Sequence, residues 1–221
     1  MTATGARRNP SAAQADPKII ALLREIPVAI LSDNLHRSSG SVGLHPYHRP
    51  APMAGTAVTV RTRGGDNFTI LRAFEYCRPG DVLVIDAGGD VSNAVIGGIL
   101  SFYASTIGVT GLVIDGAIRD VAEIRERAFP VYARGVNHRG PYKDGPGEIN
   151  VPVSVGGMVV NPGDIVVGDQ DGVLAFSPAE APALIEKALA QRLKEEQTLQ
   201  AMREGRWDRS FIDALEARCA N

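Results

Sequence analysis

Cysteine is scarce in this chain: Cys77 and Cys219 are the two in 221 residues, and they lie far apart in the sequence. That spacing makes neither a thiolate metal site nor a disulfide framework, and it points to a reducing compartment. A formal net charge of -2 gives no bulk attraction to nucleic acid or to anionic lipid. No apolar run approaches the length of a membrane span. The first 16 residues lack the apolar middle of a secretory signal, so a flexible tail on a cytoplasmic protein is expected. The sequence has no repeats at solenoid periods and no glycine-rich nucleotide loop, which leaves methyl transfer to a quinone without support. Lysine is also short. Only Lys18, Lys143, Lys187 and Lys194 stand among the 23 basic residues, and this shortage bears on mechanism below.

What is present is an ordinary globular composition, 44% hydrophobic and 22% charged, long enough for one domain with a substantial core. We place that domain at 17–205, with 206–221 as an extension. Apolar spacing predicts short amphipathic segments over 17–26 and 28–35, the second capped by Ser32 or Asp33. The alternation in Thr56–Thr62 predicts a strand with one buried face, and 66–77 reads as a helix with Asp66 at its N-cap. Two turn-to-strand segments, PGDVLVID (79–86) and PGDIVVGD (162–169), share Pro, Gly and Asp at the same offsets, as a common turn chemistry would produce. A helix over 99–107, a buried strand Val109–Ile114, an Asp115-Gly116 turn, a helix over 121–128 and a strand Val131–Arg134 follow. Nine Gly or Pro residues in 135–157 predict a long ordered loop, before strands at 158–161, 165–168 and 173–176 and a terminal helix from Pro178 to Gly205. Strands and helices interleave without regular βαβ periodicity, so a mixed α/β fold with a partly antiparallel layered sheet is expected.

The chemistry concentrates between Gly97 and Glu123. Gly97-Gly98 opens a helix whose first amides, at Ile99 and Leu100, suit an anion. Just beyond the buried strand stand Arg119, Asp120 and Glu123. An acid followed three residues later by Glu fits a capping box for a helix beginning near Val121. The same spacing puts two carboxylates on one helix face, where they suit a hard cation such as Mg²⁺ or Mn²⁺ rather than zinc. Arg119 is then free to grip a substrate carboxylate with two prongs. Asp86, Asp90 and Asn93 precede the glycine turn and have a weaker claim to face a cation through water. His36, His45, His48 and His138 form no ligand motif and read as solvated or structural, with His138 a weak candidate to line a cleft.

The Gly98-to-Glu123 spacing, with LSDNL (31–35), GLVIDGAIRD (111–120), RGPYKDGPGEINVPVSVGG (139–157) and PGDIVVGDQDGV (162–173), resembles the RraA-like family. That family holds metal-dependent aldolases of 4-hydroxy-4-methyl-2-oxoglutarate and 4-carboxy-4-hydroxy-2-oxoadipate, oxaloacetate decarboxylases and a regulator of ribonuclease E. The resemblance implies a layered β/β/α, swivelling-domain-like fold with mixed sheets. It implies homotrimers with sites in the clefts between subunits, and leaves open whether trimers pair into hexamers. It also implies Asp120 as ligand to Mg²⁺ or Mn²⁺, with Glu123 nearby, and Arg119 orienting pyruvate over the Ile99 and Leu100 amides. A neighbouring subunit would lend an acid, with Glu195 or Glu196 as candidates. Dedicated aldolases of the family carry aspartate at the position of Gly98, whereas members that decarboxylate oxaloacetate have glycine there and an acid at the position of Glu123. The chain matches the second pattern. A Schiff-base route needs a desolvated lysine. None of the four lysines falls in an apolar strand, which favours a metal lyase acting on a small 2-oxo acid. The competing expectation is a non-catalytic regulator of ribonuclease E.

Overall fold

A computed structural model describes residues 5–37 and 39–219. Four parallel strands make its centre, β2 (Met53–Thr62), β3 (Asp81–Asp86), β5 (Gly111–Ile118) and β6 (Val131–Val136), in the order β6-β5-β3-β2. Antiparallel strands extend both sides: β1 (His45–Pro46) lies on β6, and β10 (Ile165–Gly168) followed by β11 (Val173–Phe176) lies on β2. Two short strands pair at the C-terminal ends of the central ones, β4 (Ala94–Ile96) on β5 and β7 (Gly147–Ile149) on β2. A separate hairpin joins β8 (Val153–Val155) to β9 (Met158–Val160).

Side chains alternate across a strand, so each central strand feeds two layers. Leu83 and Ile85 of β3, with Leu112 and Ile114 of β5, face α3 (Phe68–Ala73), α4 (Gly98–Thr106) and α5 (Val121–Arg125). Val82, Val84 and Val113 face the other way, against Val153, Val155, Met158 and Val160 of the hairpin. Each fully buried aliphatic side chain contributes roughly 1.5–3 kcal/mol. Burial on both faces is why β3 and β5 read as continuous apolar runs, and β2, expected from its alternation to bury one face, is in fact buried on both except at Arg61. The helix layer continues over Ala54, Ile165, Val167 and Leu174, covered by α1 (Pro17–Arg24), α2 (Val28–Asn34) and α6 (Ala181–Arg203). A last helix, α7 (Ser210–Cys219), follows. Helices, sheet and hairpin therefore stack as the layered α/β fold expected.

The two PGD segments explain how β2 is framed. The Asp81 and Asp164 carboxylates each accept the amide three residues back, from Arg78 and Asn161, both at 2.7 Å. Each turn launches a strand flanking β2, with Thr56 registered against both Asp81 and Ile165.

Several local expectations are corrected. Ser32 and Asp33 lie inside α2 rather than capping it, and the side-chain cap found nearby is Asp16, which accepts the Lys18 amide. The Asp115-Gly116 pair is not a turn but lies within β5, at a register shift between Ile114 and Ala117. The segment 135–157 is not one loop, since it contains β7, β8 and the end of β6. Residues 7–15, read as flexible tail, lie against the body. Arg7 pairs with Glu148, Asn9 and Asn150 exchange side-chain-to-backbone hydrogen bonds, and Gln14 donates to Asp81. Residues 1–4 of that tail and 220–221 of the extension lie outside the described residues. Among the described residues no helix is long and apolar enough to cross a membrane.

Candidate active site

The site forms where β4 and β5 end side by side. Arg119 donates its amide to the Ile96 carbonyl at 3.0 Å, which brings Arg119-Asp120 against Gly97-Gly98 at the head of α4. Ligands of open α/β sheets collect beyond the C-terminal ends of parallel strands, and this is such an end.

Asp120 takes a left-handed conformation, φ 59° and ψ 36°, which is uncommon away from glycine. It therefore turns its carboxylate away from the helix it precedes. Its Oδ2 accepts the Gly98 amide at 3.0 Å, and no side-chain cap closes α5. The capping-box reading fails for this reason; a capping box does occur elsewhere, at Ser177 and Glu180 before α6. Glycine at 97 is required by proximity, because a Cβ there would lie 2.5 Å from Asp120 Oδ2 and 3.0 Å from Arg119 Cγ.

The first turn of α4 now has a definite account. Asp120 takes the Gly98 amide and the Gly97 carbonyl takes that of Ser101. Those of Ile99 and Leu100 have no acceptor among the described residues, so the anion-binding amides expected from sequence are free. Arg119 is half-exposed, with Nε 3.8 Å from Asp120 Oδ2, and its guanidinium lies against Gly140. Together with Ala94, Val95, Ile96 and Pro141 these groups line a cleft of about 60 Å³.

Asn67 also lines the cleft and was missed by sequence reasoning. It is buried, its Nδ2 donates to the Val95 carbonyl at 3.2 Å, and its Oδ1 has no partner among the described residues. The sequence points to Asp66 as the N-cap, whereas the N-cap position of α3 is Asn67, and nothing in the local pattern marks an Asn at a helix start as a cleft residue. Asp66 itself is fully buried and accepts the amides of Phe68, Asp144 and Gly145. Burial pushes its carboxyl up, but those amides and the Arg63 guanidinium outweigh it and hold it below the usual carboxylate range.

Glu123 lies on the other side of Gly98 from the Asp120 contact. It is half-exposed and ion-paired with Arg127, and its Oε2 would sit 2.1 Å from a Cβ on Gly98. Asp86 bonds the Gly88 and Ser154 amides, Asp90 the Ser92 amide, and Asn93 the Gly140 carbonyl, so all three are engaged in shaping loops. His48 is buried between the Val131 amide and carbonyl, and burial pushes its ring below the ordinary histidine range. His138 is exposed, as are Glu195 and Glu196 on the outer half of α6. All four lysines are exposed too.

A divalent cation fits this donor set in kind. The cleft itself offers the Asp120 carboxylate and the unpartnered Asn67 Oδ1, hard donors with no thiol or imidazole among them, whereas Glu123, expected from the sequence to share the ion, does not line it and is paired with Arg127. Among the described residues no three His, Cys, Asp or Glu side chains gather into a closed cage. A site here would rest on one or two carboxylates and water, as Mg²⁺ sites commonly do.

Comparison with known proteins agrees with the fold and the motifs. The family model for RraA-like proteins (aldolase/RraA) matches residues 28–175. A protein of Halalkalibacterium halodurans named "putative 4-hydroxy-4-methyl-2-oxoglutarate aldolase" is 37% identical over 184 residues, covering 83% of this chain and 88% of its own. The solved structure of the RNA-processing inhibitor RraA from Thermus thermophilis is 33% identical with a TM-score of 0.62, over 70% of this chain and 93% of that one. An uncharacterized protein from Pseudomonas syringae shares the fold at a TM-score of 0.79 and 23% identity, over 88% of this chain and 96% of that one.

Proposed function

The chain belongs to the RraA-like family, and from that premise we propose that it is a divalent-metal-dependent lyase releasing pyruvate from a small 2-oxo acid, by decarboxylating oxaloacetate, by retro-aldol cleavage of a 4-hydroxy-2-oxo diacid, or both. The observation that carries this reading is the left-handed Asp120, whose carboxylate is turned onto the α4 terminus beside Arg119 instead of capping its own helix. Strained backbone of this kind persists where the surroundings over-determine it, and it collects at functional sites.

Each residue then has a task. The Ile99 and Leu100 amides receive the carboxylate of the pyruvoyl portion, and Arg119 orients it through a planar fork. Asp120, with the Asn67 amide oxygen in the same cleft, would hold Mg²⁺ or Mn²⁺, and Glu123 would join it only by turning from Arg127. When bound, such a cation supplies Lewis-acid stabilisation of the charge that develops on the substrate oxygens. The exposure of all four lysines supports this route over a Schiff base, which needs a desolvated amine. Glu123, lying where a side chain on residue 98 would otherwise stand, is the group available to handle a proton there. We further propose that copies of the chain assemble, as trimers or paired trimers, so that a neighbour completes the cleft and lends an acid such as Glu195 or Glu196.

The test is pyruvate release from oxaloacetate and from 4-hydroxy-4-methyl-2-oxoglutarate with Mg²⁺ or Mn²⁺, against EDTA. We expect turnover with metal, none with EDTA, and losses of at least about a hundredfold in Arg119→Ala and Asp120→Ala. Turnover that survives either substitution would falsify the roles given to those residues. The similarity to a structure described as an RNA-processing inhibitor favours a second reading, regulation of ribonuclease E by direct binding. Capture of that nuclease by a chain inactive on both substrates would favour it over the lyase.

A further inference from the structure

Arg127 is placed as no surface arginine need be. Its Nη2 pairs with Glu123, its Nη1 donates to the Gly98 carbonyl at 3.4 Å, and its guanidinium carbon stands 4.9 Å from the centre of the Phe102 ring. One planar cation therefore ties α5 to the first turn of α4, with the aromatic face holding the fork in plane. On the far side of that contact the Glu123 carboxylate fills the space above Gly98. Gly98 itself lies outside the left-handed region, so its backbone admits any residue, and the three atoms a side chain there would meet first all belong to the Glu123 carboxylate.

A carboxylate at the end of a free glutamate side chain swings aside at little cost, whereas one gripped by a fork does not. We propose that Arg127 is a positioning residue of this site: it locks Glu123 over Gly98 and holds the Gly98 carbonyl, fixing the acid relative to the anion-binding end of α4. The role of Glu123 as the proton-handling acid rests on the lyase reading above. The locking does not, because it is a statement about where the carboxylate is held.

The experiment has two arms. In the first, thermal unfolding is followed for Gly98→Ala, Arg127→Met and the double variant. With Glu123 locked, Gly98→Ala lowers the melting temperature by about 2–8 °C. With Arg127 replaced, Glu123 moves away and the same Gly98→Ala change costs less than half as much. Equal shifts in the two backgrounds overturn the proposal. Should Arg127→Met fail to fold, Arg127→Lys serves in its place: it keeps the charge, loses the fork and is expected to give an intermediate coupling.

In the second arm, oxaloacetate turnover is measured with Mg²⁺. Arg127→Met should lower kcat by roughly tenfold or more while KM stays within about twofold, as loss of an outer residue that orients a reacting group does. Arg127→Lys should recover part of kcat. A wild-type chain inactive on both oxaloacetate and 4-hydroxy-4-methyl-2-oxoglutarate overturns the lyase reading but leaves the melting-temperature coupling standing. An active wild type with unchanged kcat in Arg127→Met overturns the proposal for Arg127.

Discussion

The sign of one backbone angle decides what Asp120 does. An acid followed by Glu at the third position is a good sequence signature for a helix start, and α5 does start there. Yet the left-handed φ of 59° sends the carboxylate to the Gly98 amide instead. No pattern of residue types records the sign of φ at a residue that is not glycine, so sequence alone left capping and ligation side by side. Arg119, Gly97 and Gly98 were legible because each has a chemical reason visible in its type. Asn67 and Arg127 were not, because their importance comes from what lies against them. The conformation of Asp120 also yields a prediction. Asp120→Gly relieves a left-handed strain of about 1 kcal/mol and loses one hydrogen bond of similar worth. The melting temperature should stay within about 3 °C of the parent while pyruvate release is lost. A destabilisation well beyond that would mean that Asp120 is held for folding rather than for chemistry.

At the scale of elements, the long apolar strands and the two PGD turns were readable, whereas of the four three-residue strands β4, β7 and β8 were not and only β9, expected at 158–161, was. Strands that short, set among Gly and Pro, carry no periodicity, and pairing with a neighbour defines them. The same applies to the wall of the cleft formed by 139–146. That segment is held by Asp66, whose buried carboxylate receives the Asp144 and Gly145 amides, while Asn67 donates its amide to the Tyr142 carbonyl and Tyr142 donates its own to the Gly65 carbonyl. Because the folded-state pKa of Asp66 is depressed, its contribution is present above the unfolded value near 3.9 and is lost as pH falls through the lower, folded one. Asp66→Asn should therefore cost about 2–3 kcal/mol at neutral pH, since buried amide donors lose a charged acceptor. The gap between variant and parent should narrow as the pH is taken down through about 4 to 2, the range in which a depressed carboxylate gains its proton. Urea unfolding at a series of pH values reads this directly. A gap that stays constant down to pH ~2 would show that Asp66 does not act as an ionised staple.

The whole molecule raises a question that neither residues nor elements answer, namely what closes the cleft. At about 60 Å³ it is far smaller than the 300 Å³ or more usual for a site that encloses a ligand. The residues beside its free helix-start amides are apolar and bare: Ile99 is 81% exposed and Phe102 54%. On the proposal that copies of the chain assemble, this rim is the surface that a neighbour would cover. A second copy of the chain is the occupant that the family resemblance implies, and it would supply the missing wall. Ile99→Lys separates the possibilities. In a lone chain a residue so exposed can be replaced with a change within about 0.5 kcal/mol, and helix α4 tolerates lysine. Buried between copies, the same lysine would be an unpaired charge costing several kcal/mol. Sedimentation equilibrium should thus give a multiple of the 23.4 kDa chain mass for the parent and a smaller species for Ile99→Lys, with unchanged far-ultraviolet circular dichroism. A parent that sediments at the chain mass would sink the shared-cleft proposal, and the 60 Å³ cleft would then have to accept its substrate unaided.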